Sequence, residues 1–216
     1  MSARTGSNDL RPLILERRAR LGDLLAALDG SEWDRASLCH GWLVRDVVAH
    51  CIQNHRAAPW NLPGQMVAAG FRIDVRNQQW VERWRALSPE RLLGEYRATM
   101  ERTAFPAFEA RFALTEDVVH GFDIARPLGR VIEVPERALV AAADTYLRTT
   151  RILHGRPRCV GLGFVATDHP WTGGSGQEVR GPLASILVAI AGRAAAADDL
   201  SGPGVRVLRR RLAEER

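Results

Sequence analysis

The sequence predicts an α+β protein, with a four-helix bundle at the front and a small α+β domain behind it. Three observations carry this. Apolar residues recur at three- and four-residue spacing through most of the first 129 positions, the signature of amphipathic helices. After Gly129 the composition changes, and short strand-like runs are interleaved with glycine-rich and helical stretches. At 216 residues the chain is long enough to bury the cores of two small domains. The expected division is 10–129 and 130–216, and neither part contains an internal repeat.

Residues 1–9 are polar and read as a disordered start. Between 10 and 28, Leu10, Leu13, Ile14, Arg17, Leu21, Leu24, Leu25 and Leu28 mark the first helix, ended by Gly30 and Ser31. Trp33 opens a connecting segment through Cys39. A second helix spans about 42–57, its apolar arc made by Leu43, Val44, Val47, Val48 and Cys51, with His50 at the arc's edge. Residues 59–70 are rich in Pro and Gly and predict a loop or short turn. A third helical region covers about 71–87, with Trp80 and Trp84 four apart. Ser88 and Pro89 form a start signature for helix 89–104. Pro106 interrupts, and a further helix runs from about 109 to 126, stopped by Pro127 and Gly129.

In the second part, RVIEVP (130–135) is a strand candidate and Glu136 to Thr150 reads as helix. GLGFVAT (161–167) reads as a strand, and the glycine-rich WTGGSGQEVRGP as a hairpin turn leading into another strand. Pro182 to Ala191 is an apolar helix, and Gly204 to Glu214 a final amphipathic one.

Composition narrows the function classes. The chain is 46% hydrophobic and 25% charged, ordinary for a soluble globular protein. All 30 basic residues are arginine and the formal charge is +5. The arginines are scattered, and the Arg209-Arg210-Arg211 run falls on the final helix, so a solvated helix face is the reading rather than a nucleic-acid surface. Cys39, Cys51 and Cys159 make an odd set without a C-x-x-C pair, which predicts reduced thiols in a cytoplasmic protein. No run approaches the ~18 apolar residues of a membrane span, and the N-terminus lacks a secretion signature.

The stretch FALTEDVVHGFDIARPLG (112–129) carries the chemistry. Glu116 and His120 are four apart and meet on one helical face, with Asp123 three further on. A carboxylate, an imidazole and a second carboxylate on one face suit a divalent metal. Such a site needs a ligand from another helix, and His50 in GWLVRDVVAHC is the best candidate.

The segments LCHGWLVRDVVAH (38–50) and EDVVHGFDIARPLG (116–129) together resemble the DinB-like, mycothiol-dependent maleylpyruvate isomerase family of actinobacteria. GPLASILVAIAGRAAAADDLSG (181–202) is similar to that family's C-terminal, sterol-carrier-like module, with Gly192 and Arg193 as its Gly-Arg pair. The resemblance covers roughly 13–212. It implies a metal held by His50, Glu116 and His120, zinc being the default for this ligand set. It also implies mycothiol, a small-molecule thiol cofactor, as the nucleophile. In the isomerases the thiolate adds to the cis double bond of maleylpyruvate, the bond rotates, and elimination gives fumarylpyruvate. In transferase relatives the adduct stays. Arg193 would bind a substrate carboxylate, for which a planar guanidinium offers bidentate geometry. Asp123 would orient a ligand imidazole. One residue departs from the pattern: Leu43 stands where a Ser or Thr caps the second helix, an expected loss of ~1 kcal/mol.

Each residue has a plainer reading. Glu116 and His120 also fit a surface pair, His50 a satisfied helix histidine, Asp123 a brace for the following turn, and Arg193 a cap on helix carbonyls. His40, His55, His154 and His169 read as loop or surface residues, Cys51 and Cys39 as packed thiols, and Trp42 as a core anchor. The expectation is thus a metal- and thiol-dependent S-transferase or isomerase acting on a small electrophile. The alternatives are a metal-dependent hydrolase using bound water, and a non-catalytic binding or regulatory protein.

Overall fold

The computed structural model describes residues 10–56, 73–103, 110–149 and 155–214. Contacts divide the chain after Glu133 into two units, Met1–Glu133 and Val134–Arg216. The expected disordered start, the Pro/Gly-rich loop at 59–70, the interruption at Pro106 and His154 all lie outside the described residues. Among the described residues no helix is long and apolar enough to cross a membrane.

In the first unit the described helices are α1 (Arg11–Ala26), α2 (Val44–Arg56), α3 (Ile73–Trp84), α4 (Pro89–Thr99) and α5 (Ala110–Ala125). Helix α1 packs on α5, α5 on α2, α2 on α4 and α4 on α1, which closes the four-helix bundle. Helix α3 packs against α2. Ile14, Leu21 and Leu25 of α1, Val47 and Ile52 of α2, Leu92 of α4, and Leu114 and Val118 of α5 are buried together in its core, the apolar stripes that the spacing predicts. On α5, every residue from Asp117 to Ala125 is buried.

Local chemistry sets the helix ends. At α4 the Ser88 hydroxyl accepts from the Arg91 backbone N–H at 3.4 Å, with Pro89 in the first turn, as the start signature predicts. At α5 the chain tightens into a 3-10 turn, Arg126–Leu128, and Gly129 leaves it at φ 65°, a left-handed conformation that favours glycine. Helix α2 has the expected Leu43 at its cap, but the missing hydroxyl is replaced from inside the helix. Asp46 Oδ2 accepts the Leu43 N–H at 2.9 Å, and the same carboxylate takes Arg85 at 2.7 and 3.1 Å. This is the carboxylate half of a capping box.

Three expectations change. RVIEVP (130–135) forms no strand. Its alternation is real, with Val131 88% exposed and Ile132 9%, yet among the described residues no neighbouring strand supplies a ladder, and the Glu133 carbonyl is taken by Arg17. His55 is buried rather than on the surface. Its Nε2 lies 3.4 Å from Asp117 Oδ1 and its Nδ1 3.4 Å from Thr99 Oγ1. Asp117 in turn pairs with Arg18 at 2.7 Å, and Arg18 also donates to the Met100 and Arg102 carbonyls. This buried ionic network ties α1, α2, α4 and α5 together one residue beyond Glu116, and a buried arginine and aspartate are tolerable only because each is paired.

The third change concerns the sheet of the second unit. That unit contains α6 (Glu136–Arg148), α7 (Gly155–Cys159), β1 (Leu162–Ala166), β2 (Thr172–Gly174), β3 (Gln177–Gly181), α8 (Leu183–Ile190), a 3-10 stretch Ala194–Asp199 and α9 (Val205–Glu214). The glycine-rich segment was expected as a turn, but it contributes strand β2. The sheet order is β2-β1-β3, with Phe164 of β1 opposite Gly173 antiparallel and opposite Val179 parallel. Gly176, at φ 126°, is required here: a Cβ would lie 2.1 Å from the Gly161 carbonyl oxygen. Helix α8 packs on β1, β3 and α6 and is buried along nearly its whole length, consistent with an apolar sequence on all its faces.

Candidate metal centre

Two helices supply the site. Glu116, His120 and Asp123 occupy successive turns of α5, and His50 projects from the facing α2. Glu116 Oε2 is 3.2 Å from His120 Nε2 and 3.5 Å from His50 Nε2. The two imidazole rings stand nearly perpendicular, 88° apart, with centroids 4.9 Å apart. One ligand atom from each of His50, Glu116 and His120 lies within 4.8 Å of the others. Both histidines are buried, and the Glu116 side chain retains 27% exposure, so the cluster opens to solvent on the carboxylate side.

Neighbours orient each ring. Asp123 Oδ2 accepts from His120 Nδ1 at 2.9 Å, which turns His120 Nε2 toward Glu116. The same oxygen accepts the Cys39 thiol at 3.1 Å, and the Leu38 N–H donates to the Asp123 carbonyl at 3.1 Å. Cys39, His120 and Asp123 form a second convergent group that shares His120 with the first. On α2, the Asn54 amide nitrogen lies 3.1 Å from His50 Nε2 and 3.4 Å from Glu116 Oε2. An amide NH₂ only donates, so this contact marks His50 Nε2 as an acceptor nitrogen, its lone pair engaged by Asn54. Trp42 lies edge-on against His50 at 5.3 Å between centroids, and is half-buried rather than a core anchor.

The charges are strongly coupled. Burial opposes ionisation of Glu116, but hydrogen bonds from His120 and His50 outweigh it and hold the carboxyl far below the usual range. Burial also opposes a charged His120, yet Asp123, Cys39 and Glu116 outweigh it and raise its pKa well above the ordinary value. Burial dominates at His50 and lowers its pKa, against pulls from Glu116 and Gln53. Without a metal, the cluster therefore carries an anionic Glu116 with a proton held on His120. Burial pushes the Cys51 thiol up to about 12, which makes it an inert packed thiol.

The residues present fit a divalent cation: two imidazoles and a carboxylate converge from facing helices. Arg193 lies in the second unit, just after α8, and donates to the Ala191 carbonyl at 2.5 Å. Sequence reasoning missed Asn54 and the Cys39–Asp123 contact. The i,i+4 spacing of Asn54 from His50 was an available signal, whereas Cys39 and Asp123 are 84 positions apart.

Residues 14–111 match the family model described as the mycothiol maleylpyruvate isomerase N-terminal domain, a span that contains His50 and ends before Glu116. A solved structure of a mycothiol-dependent maleylpyruvate isomerase is similar at 19% identity and a TM-score of 0.66, covering 92% of this chain and 93% of that one. A histidine-to-alanine mutant of such an isomerase is similar at 18% identity, with the same TM-score and coverage. At these identities the likeness to solved structures is one of fold. No curated protein sequence gives a significant match. Over residues 14–111, then, the chain is similar to the N-terminal domain of mycothiol maleylpyruvate isomerases.

Proposed function

We propose that the protein is a divalent-metal- and mycothiol-dependent S-transferase or isomerase acting on a small electrophile, with maleylpyruvate-type cis–trans isomerisation as the reference reaction. The observation that carries this reading is the convergence of one ligand atom each from His50, Glu116 and His120 within 4.8 Å of one another. The N-terminal family match supports it, and the solved structures similar in fold bear the same isomerase name.

His50, Glu116 and His120 would hold the metal, with zinc the default for two imidazoles and a carboxylate. When bound, a divalent ion supplies the positive charge that keeps a thiol ionised near neutral pH. Asp123 holds the proton on His120 Nδ1 and so keeps Nε2 free to face the cluster. Asn54 bridges His50 and Glu116 and fixes their separation. Trp42 shields one side of His50 from water. Arg193 is proposed to hold a substrate carboxylate, a role its forked guanidinium suits. The three free cysteines fit the reducing compartment that such a thiol chemistry needs.

Metal content measured by mass spectrometry on the wild type and His120→Ala tests the reading. We expect about one divalent ion per chain in the wild type, lost in the variant. Mycothiol-dependent turnover of maleylpyruvate or a related electrophile should follow the metal. A wild type that takes up none of zinc, cobalt and nickel would overturn the proposal.

A further inference from the structure

A cleft of about 740 Å³ runs along α3, lined by Val75, Asn77, Gln78, Gln79 and Glu82 of that helix and by His40 and Trp42 of the loop before α2. Its chemistry is distinctive in a chain whose basic residues are all arginine, because no arginine lines it. Beside the aliphatic Val75, amides, an imidazole, an indole and a single carboxylate offer both donors and acceptors with little net charge. Such a lining is poorly suited to a phosphate or carboxylate. It suits a neutral ring bearing hydroxyls, whose C–H face rests on an indole while amides and a carboxylate take the hydroxyls.

The cleft is also preorganised. The Trp42 indole N–H donates to Gln78 Oε1 at 3.3 Å, and Gln78 Nε2 donates to Glu82 Oε1 at 2.9 Å. Gln78 thereby fixes both the indole and the carboxylate, and among the described residues Glu82 Oε2 and the Gln79 amide keep their capacity for a ligand. Trp42 is shared: the side chain that walls the cleft packs edge-on against His50 at 5.3 Å.

We infer that this cleft receives the neutral, polyhydroxylated head of the thiol cofactor, against Trp42, Gln78 and Glu82. Mycothiol is an acylated glucosaminyl-inositol, a neutral sugar–cyclitol attached to its cysteine, and matches the lining in both polarity and charge. This assignment of the cofactor rests on the thiol-dependent reading above, whereas the preference for a neutral polyol rests on the cleft alone.

Isothermal titration of the full chain with mycothiol and with thiol-free N-acetylglucosaminyl-inositol separates the two. Wild type should bind both. Gln78→Leu, which releases indole and carboxylate together, and Glu82→Gln should each weaken both probes by about tenfold or more, with metal content and circular dichroism unchanged. Mycothiol affinity that both substitutions leave intact, in protein that still turns over with added thiol, overturns the cleft assignment and spares the catalytic reading. Gln78-dependent binding of the thiol-free probe in a protein that holds no metal and shows no thiol-dependent turnover sinks the catalytic reading and spares the cleft as a polyol site. Failure of the wild type to bind either probe overturns the inference.

Discussion

Asp123 receives two hydrogen bonds on one oxygen, from His120 Nδ1 and from the Cys39 thiol, and is fully buried while doing so. An asparagine there would preserve shape but not the full charge that fixes the imidazole. We expect Asp123→Asn to lower metal affinity by about 10–100-fold, read by competition with a chelating dye; an unchanged affinity would remove its orienting role. Part of this arrangement was legible: Glu116, His120 and Asp123 fall on one face because helical spacing dictates it. The Cys39 contact was not, because only the folded chain brings position 39 to position 123. His55 shows the limit at closest range. It shares α2 with His50, but its burial depends on Asp117 and Thr99, both far away in sequence, so local pattern could not distinguish a buried histidine from a surface one.

At the scale of the element, α2 shows how one side chain substitutes for another. Leu43 cannot cap, yet Asp46 reaches back to its N–H and simultaneously anchors Arg85 after α3. Asp46→Ala removes the cap and leaves the guanidinium to water, since Arg85 is 44% exposed. We expect a loss of about 1–3 kcal/mol in urea denaturation with little change in slope; a stability equal to wild type would show that the cap contributes nothing. Helix positions were read well because their stripes are local. The strands were read less well. Alternation in RVIEVP says which residues turn inward, but a strand also needs a partner at about 4.8 Å, and no periodicity reports a neighbour. The parallel pairing of β1 with β3 was hidden for the same reason.

For the whole first unit, the buried Arg18–Asp117–His55 network gives stability a pH dependence. Burial lowers the His55 pKa, although Asp117 pulls it up; Asp117 itself stays low because Arg18 and His55 outweigh the cost of its burial. A depressed histidine refuses a proton that the unfolded chain accepts below its ordinary value of about 6.5. Its contribution is complete above that pH and declines as pH falls toward the folded pKa. The Asp117 contribution is present above the ordinary carboxylate range and is lost only at more acidic pH. With a chelator present, the difference in unfolding free energy between wild type and His55→Gln should narrow as pH falls from 7.5 to 5. A constant gap would mean that His55 titrates alike in both states.

Helix α5 has no outside between Asp117 and Ala125, since every side chain there is buried. A helix with one solvent face lets half its positions drift; this one offers no silent positions over that stretch. The ligand and orienting residues are interleaved with Val118, Val119, Phe122 and Ile124, so a substitution at an apolar position can displace His120 without touching it. Descendants of this chain will therefore change α5 last, and in coupled pairs rather than singly. Anyone wishing to install a probe or a tag in this unit has room on the exposed Arg83 of α3, and none beside the histidine.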